Sequence, residues 1–365
     1  MKNIFSQLFK NYDWYLLGAV IFLCAIGVSV LFSTTIEINW SADAAKQILF
    51  MVLGLVALVT LSRIDYRIFK SYTGVLYIIV VLMLGFLTVA SKTHFGVGIE
   101  AKGAVRWINL GFFQFQPSLL AQLLMAIILA KYFSDNYEEL QNFKAVFKSA
   151  VYVGIPTILV ALQPDLGSAL VFVFMWGLML LLSNAKRIYI AILMVLGISS
   201  LPLIWEFLKD YQRDRVLTFL NPTADPMGTG WNVKQAMIAI GSGQMWGRGL
   251  GRGTQSQLNF IPEKHTDFMF AATSEELGLI GISLILGSYF LLIKTLLKIA
   301  FSFNHNRQLL LFTLGITFQI WAQAFINIGM NLGILPVTGI PLPFLSVGGS
   351  SLMALMFSLG VIFSS

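Results

Sequence analysis

An all-α, polytopic membrane fold follows from three features of this chain. Its 365 residues are 57% hydrophobic and only 11% charged, a balance no soluble globular domain carries. Apolar runs close to the ~20 residues needed to cross a bilayer recur along the whole length. Short polar connections separate these runs, and one long polar loop, about residues 209–266, interrupts them.

The runs predict ten spans, at about 14–34, 45–63, 72–91, 116–134, 147–163, 165–184, 187–208, 267–296, 308–333 and 345–364. The first follows a polar start, Met1–Asp13, that carries Lys2 and Lys10. It is long enough to span and lacks a small-residue cleavage site, so a retained helix is expected rather than a signal peptide. The fourth opens at Gln116-Pro117-Ser118, a suitable helix start. The fifth and sixth are divided only by Gln163-Pro164-Asp165, which reads as a tight hairpin. Within the long loop, Trp231–Ile240 reads as a short amphipathic helix ended by Gly241-Ser242-Gly243, after a turn at Asp225–Trp231. The eighth span starts at Asp267. Pro341, Pro343, Gly348 and Gly349 crowd the approach to the tenth and point to a broken segment lining a cavity, or to tight packing through small residues.

Basic residues orient the helices. With the N-terminus in the cytoplasm, more than half of the 24 Lys and Arg fall on the inner side, and the short loops obey the positive-inside bias. An even number of spans puts both termini in the cytoplasm and the long loop, between helices 7 and 8, outside. That loop still carries Lys209, Arg213, Arg215, Lys234, Arg248, Arg252 and Lys264. Long loops translocate regardless of charge; the sharper reading is an anionic ligand on the outer face. The net charge of +7 is thus a matter of loops, not of nucleic acid. A lone Cys24 excludes intrachain disulfides, and the scattered His94, His265 and His305 offer no zinc cluster.

Several polar groups sit where chemistry is possible. Arg106 and Trp107 form an interfacial anchor pair, or a fork for a phosphate beside a ring that packs on a sugar or lipid. Asp165 reads as the N-cap of the sixth span, which is compatible with a place in a polar pocket. Arg213 and Arg215 can pair with Asp210 and Asp214 as a solvated network. Gly247–Gly253 lacks the strand and helix of a nucleotide loop. Glu275 and Glu276 lie inside the eighth span, where a charge costs roughly 2.5–3.5 kcal/mol on insertion scales. They face a cavity or a partner, or fasten neighbouring helices by hydrogen bonds.

The segments Gly103–Gln116, Gln163–Gly167, Gly253–Phe260, His265–Phe268, Glu275–Gly278 and Pro341–Ser351 resemble, in order and across essentially the whole chain, the SEDS family. The run Gly253-Thr254-Gln255-Ser256-Gln257 looks like the RodA branch, used in elongation and rod-shape maintenance, rather than the division branch. The resemblance implies a single SEDS domain over residues 1–365 that acts as a peptidoglycan glycosyltransferase in the cytoplasmic (inner) membrane. It would polymerise lipid II, a disaccharide-peptide on undecaprenyl diphosphate, on the outer face. The family's essential aspartate maps onto Asp267. The implied partners are a class B penicillin-binding protein transpeptidase and other membrane proteins of the elongation complex. In one place the chain departs from the family: the usual Glu-Leu-Ala-Lys after Gln116-Pro117-Ser118 is Leu119-Leu120-Ala121-Gln122, so an acid and a base are lost together.

Glycosyl transfer from a diphosphate-lipid needs a base for the acceptor hydroxyl, cations for the leaving diphosphate and a groove for the lipid. Asp267 is the expected base. Arg106, Lys234, Arg213, Arg248 and Lys264 are the expected diphosphate contacts, with Trp107, Asp165, Glu275 and Glu276 lining the substrate site. A divalent cation, Mg or Mn, shared by carboxylate and diphosphate remains open. Two other classes share these features: a flippase moving the lipid-linked precursor, and a non-catalytic scaffold for a partner synthase.

Overall fold

Hydropathy dictates helices, because a chain in lipid must satisfy its backbone internally. A computed structural model of the chain describes residues 12–35, 41–93, 98–101, 104–109, 111, 114–221 and 228–364. Lys2, Lys10, Gly103 and the Asp225–Met227 part of the expected turn lie outside the described residues.

In chain order the helices are α1 (Trp14–Thr35), α2 (Ser41–Leu61), α3 (Arg67–Ser71) and α4 (Thr73–Thr93), then α5 (Pro117–Asp135), α6 (Phe143–Leu162) and α7 (Leu166–Leu181). Next come α8 (Arg187–Ser199), α9 (Leu201–Phe207), α10 (Asp210–Leu220), α11 (Thr229–Ser242) and α12 (Thr254–Gln257). The chain closes with α13 (Met269–Ser302), α14 (Arg307–Asn331) and α15 (Gly349–Phe363). Eight stretches are long and apolar enough to cross a membrane: α1, α2, α4, α5, α6, the α8–α9 run, α13 and α14. Two shorter apolar helices, α7 and α15, occupy the places of the sixth and tenth expected spans.

The structure differs from the expected all-helical pattern in three places. Gly98–Ala101 (β1), Ala104–Asn109 (β2) and Gln114–Phe115 (β3) form a small antiparallel sheet, with Ile99 opposite Trp107 and Ile108 opposite Phe115. The seventh span is two helices, α8 and α9, which meet at Ser200 just before Pro202. The eighth, α13, is broken at Gly278, whose φ of 65° and ψ of −164° are not helical.

That break frees backbone groups of α13, and one loop exchanges four hydrogen bonds with them. Arg248 N–H donates to Glu275 C=O at 2.9 Å and Gly249 N–H to Glu276 C=O at 3.0 Å. In the other direction Leu279 N–H donates to Gln244 C=O at 2.8 Å and Ile280 N–H to Met245 C=O at 3.2 Å. The glycine-rich run is therefore a clasp on a broken helix. Below the break, α13 packs on α1 and α14, and α14 packs in turn on α5 and α7. α14 is the central helix and mostly buried, whereas the α8–α9 run is almost wholly exposed and stands at the periphery.

Candidate active site

The N-terminal ends of α2, α5, α7, α13 and α15 meet at one end of the bundle around a cavity of about 1050 Å³. Each helix brings the positive end of its dipole, so the convergence favours an anionic occupant before any side chain is counted. Asp267 lines this cavity from the turn that precedes α13.

That turn is fixed through its backbone. Asn327 Nδ2 and Asn331 Nδ2, one helical turn apart on α14, both donate to Asp267 C=O at 3.0 Å. Asn331 Oδ1 accepts from Ala271 N–H, and Asn327 Nδ2 also reaches Ile340 C=O at 2.7 Å. Ser346 Oγ donates to Thr266 C=O at 2.6 Å and Val347 N–H to His265 C=O at 2.9 Å. The Pro-Gly segment before α15 is thus strapped to the aspartate turn, and it lines the cavity through Gly339 and Pro341.

The cation beside Asp267 is Arg215, and Arg106 neighbours Arg215 in turn. A Cβ built on Gly339 would lie 3.5 Å from Asp267 Oδ2 and 4.0 Å from Arg215 Nη1, so carboxylate and guanidinium share one small space. Burial pushes the Arg215 guanidinium below its ordinary value, the Asp267 carboxylate pushes it back up, and neighbouring Arg106 pushes it down. Arg215 also lies over the Tyr211 ring, 5.9 Å from its centre, and Nη1 donates to Val337 C=O at 3.3 Å. Arg106 is built into the α6–α7 hairpin: Nε donates to Gln163 C=O, and Nη2 to Pro164 C=O and Tyr211 Oη. Asp165 does two jobs. Oδ1 caps α7 by accepting from Ser168 N–H at 3.2 Å, and Oδ2 accepts from Gln116 Nε2 at 3.2 Å.

Of the residues singled out from sequence, Arg106, Trp107, Asp165 and Lys264 line the cavity with Asp267. The Lys264 ammonium is spent on Ser256 C=O and Asn259 Oδ1, which fix the loop. Arg213, Lys234, Arg248, Glu275 and Glu276 are not among the lining residues. Arg213 donates to Trp205 C=O and Glu206 C=O at the end of α9. No ion pair joins Arg213 or Arg215 to Asp210 or Asp214 among the described residues. Lys234 is exposed on α11, and Arg248 bonds Thr254 Oγ1 and Ser242 C=O. Glu275 is fully buried, accepting from Gln255 N–H at 2.8 Å and Ser256 N–H at 2.9 Å. Glu276 accepts from Ser33 Oγ, Gly251 N–H and Gln257 Nε2. These two acids fasten α12 and α1 to α13, and their place outside the cavity lining corrects the expectation that they line one pocket with Asp267.

At the departure from the family pattern, Leu119 lines the cavity and Gln122 is buried on α5, where its Oε1 accepts from Gln319 Nε2 at 2.9 Å and Gln323 Nε2 at 3.1 Å. The carboxylates around the cavity are Asp43, Asp165, Glu263 and Asp267, and among the described residues no three such groups gather into a metal-binding set. A divalent cation at Asp267 would therefore need the substrate diphosphate to complete its oxygen ligands.

Over residues 8–364 the chain matches the family of cell cycle proteins that comprises FtsW, RodA and SpoVE. It is 39% identical over 332 residues to the peptidoglycan glycosyltransferase MrdB of Escherichia coli K12, which spans 89% of this chain and 87% of that relative. A chain of a peptidoglycan synthase complex, solved for its structural coordination of polymerization and crosslinking, superposes with a TM-score of 0.80 at 30% identity over 96% of both chains. The rod shape determining protein RodA of Thermus thermophilus superposes with a TM-score of 0.68 at 27% identity, over 97% of this chain and 96% of that one.

Proposed function

This chain belongs to the FtsW, RodA and SpoVE family, and from that premise we propose that Asp267 is the general base of a glycosyl transfer carried out in the cavity at the loop end of the bundle. The chain is an integral membrane peptidoglycan glycosyltransferase of the RodA type. Its substrate is lipid II and its product a glycan strand made during cell elongation. Asp267 takes the proton of the acceptor sugar hydroxyl as that oxygen attacks the anomeric carbon of the donor. The bond from that carbon to the diphosphate breaks, and the diphosphate leaves with the electron pair. Arg215, with the helix N-termini, stabilises the charge that develops on the diphosphate. Arg106 holds the hairpin that carries Asp165 and seats Tyr211 beneath Arg215.

One observation carries this reading: a carboxylate whose backbone is pinned by Asn327 and Asn331 faces a guanidinium inside a large cavity ringed by helix N-termini. Preorganised groups of this kind lose little on reaching the transition state. The gathering of polar groups at one end favours a polymerase over a flippase. The void lined by Tyr66, Phe69, Gln308 and Val361 holds about 10 Å³ among mostly apolar side chains.

The ten-span topology, with the long loop on the outer face and both termini in the cytoplasm, rests on the Lys/Arg distribution. A class B penicillin-binding protein is the proposed partner, supported by the likeness to a chain of a complex that couples polymerization to crosslinking.

The test is polymerisation of labelled lipid II by purified protein in detergent, with and without the cognate transpeptidase. Asp267→Asn should reduce glycan formation by about 10²–10⁴-fold while leaving the melting temperature and partner binding unchanged. Full activity in that variant would remove Asp267 as the base.

A further inference from the structure

The cavity that Asp267 lines holds a second set of anion donors, at the start of α15. α15 begins at Gly349, with Gly348 at the N-cap and no side chain capping it. Gly348 N–H is taken by Gln47 Oε1 at 3.3 Å. The next three N–H groups, of Gly349, Ser350 and Ser351, have no acceptor among the described residues, and all three residues line the cavity. The second observation is a side chain. Ser351 is 8% exposed, and its hydroxyl has no hydrogen-bond partner among the described residues. Ser350, by contrast, is committed: Oγ donates to Gln114 C=O at 2.7 Å and accepts from Gln116 N–H.

Local packing holds this turn open to the cavity. A Cβ on Gly349 would meet the Phe50 ring at 2.7 Å, so glycine lets α2 back the turn closely. On the rim, Lys46 and Asp43 are an exposed ion pair at 3.4 Å, so little net charge comes from there. What remains is a fan of backbone N–H groups and one hydroxyl at the positive end of a 15-residue helix, the donor set that recognises phosphate oxygens.

We propose that the first turn of α15, Gly349–Ser351, is a second diphosphate subsite in the same cavity as Asp267. The proposal rests on the glycosyltransferase reading and extends it. The first coupling of two lipid II molecules brings together two lipid diphosphates, and only one of them leaves. The Arg215 side of the cavity suits the leaving one, and the α15 turn suits the one that is retained. The spacing fits: Val347, two residues before Gly349, is bonded to His265, two residues before Asp267. At ~3.8 Å per residue the two sites lie within roughly 20 Å, a span that two saccharide headgroups can bridge.

Ser351→Asp is the discriminating variant. A carboxylate in the first turn suits the helix, so the melting temperature should hold or rise. The same carboxylate occupies the free donors and repels a diphosphate. The expected result is a rise of tenfold or more in KM for labelled lipid II, with kcat reduced far less, and a smaller rise in KM for Ser351→Ala. Inorganic pyrophosphate should compete with lipid II less strongly in Ser351→Asp than in the wild type, the remaining competition coming from the Arg215 side of the cavity, whereas phosphatidylglycerol in the micelle should not compete. An unchanged KM in Ser351→Asp, or competition by phosphatidylglycerol equal to that by pyrophosphate, overturns the subsite. Asp267→Asn separates the two readings: its loss is expected in kcat with KM retained. Full activity there would overturn the base while leaving the Ser351 comparison intact.

Discussion

Arg213 and Arg215 stand two residues apart, and on a helix that is roughly 200° of rotation, or opposite faces. α10 therefore turns one guanidinium to the carbonyls at the end of α9 and the other to Asp267. Arg215→Ala should lower kcat by about 10²–10³-fold, the usual cost of removing a donor aimed at developing charge. Arg213→Ala should leave kcat near wild type in the same lipid II assay. The sequence did not separate the two because the long loop gave no sign of α10, so no rotation could be assigned. His265 offers a test on stability. Burial, then Lys264, lowers its pKa from 6.5 to about 4, with Asp43 opposing, and Nδ1 lies 3.3 Å from Thr34 Oγ1. Between about pH 6.5 and 4 the unfolded chain binds a proton here that the folded chain does not. Stability thus falls as pH drops through that window and levels off below it. Discounted for partial exposure, the loss is about 1–2 kcal/mol. Thermal unfolding in detergent from pH 7 to 4 should show this slope in the wild type and a flatter one in His265→Gln.

At the scale of elements, hydropathy made the apolar helices legible, because lipid demands long apolar runs with internally bonded backbones. It could not place the β1–β2–β3 sheet, whose strands of two to six residues fall below any periodic signal. Nor could it place the break in α13. Gly278 follows Glu275-Glu276-Leu277 inside the eighth span, and one glycine inside a helix is usually tolerated. The break depends on Gln244–Gly249, some thirty residues upstream, which supplies the exchanged hydrogen bonds. Asp165 was readable as a cap because a cap is local. The Asn327/Asn331 clamp on Asp267 was not, since it joins residues 60 and 64 apart. The clasp makes its own prediction. A Cβ at Gly278 would lie 2.2 Å from Gly247 N, at a φ that disfavours side chains. Gly278→Ala should cost on the order of 3 kcal/mol or more and lower the melting temperature in detergent. Gly287→Ala, on the same helix and with nothing within 4 Å, should be neutral or slightly stabilising.

Across its centre the molecule is joined by a stripe of buried carboxamides. α14 carries Gln319, Gln323, Asn327 and Asn331 at four-residue intervals, all buried, so one polar stripe runs from the Asp267 turn into the middle of the bundle. Its upper half holds the aspartate; its lower half holds Gln122 on α5. An acid–base pair at positions 119 and 122 would have to be desolvated together, and removing both members can be close to neutral where removing one is not. This chain has Leu119, which extends the apolar wall of the cavity, and Gln122, which ties α5 to α14 without charge. Restoring the pair should expose that logic. Gln122→Lys alone places an ammonium among Gln319 and Gln323 with no carboxylate beside it and should destabilise by about 3–5 kcal/mol. Adding Leu119→Glu should recover part of that loss, with a favourable coupling of about 0.5–3 kcal/mol in a double-mutant cycle of detergent unfolding. If the two substitutions simply add, positions 119 and 122 are not coupled through the bundle, and the carboxamide contacts on α14 stand independently of what lines the cavity above them.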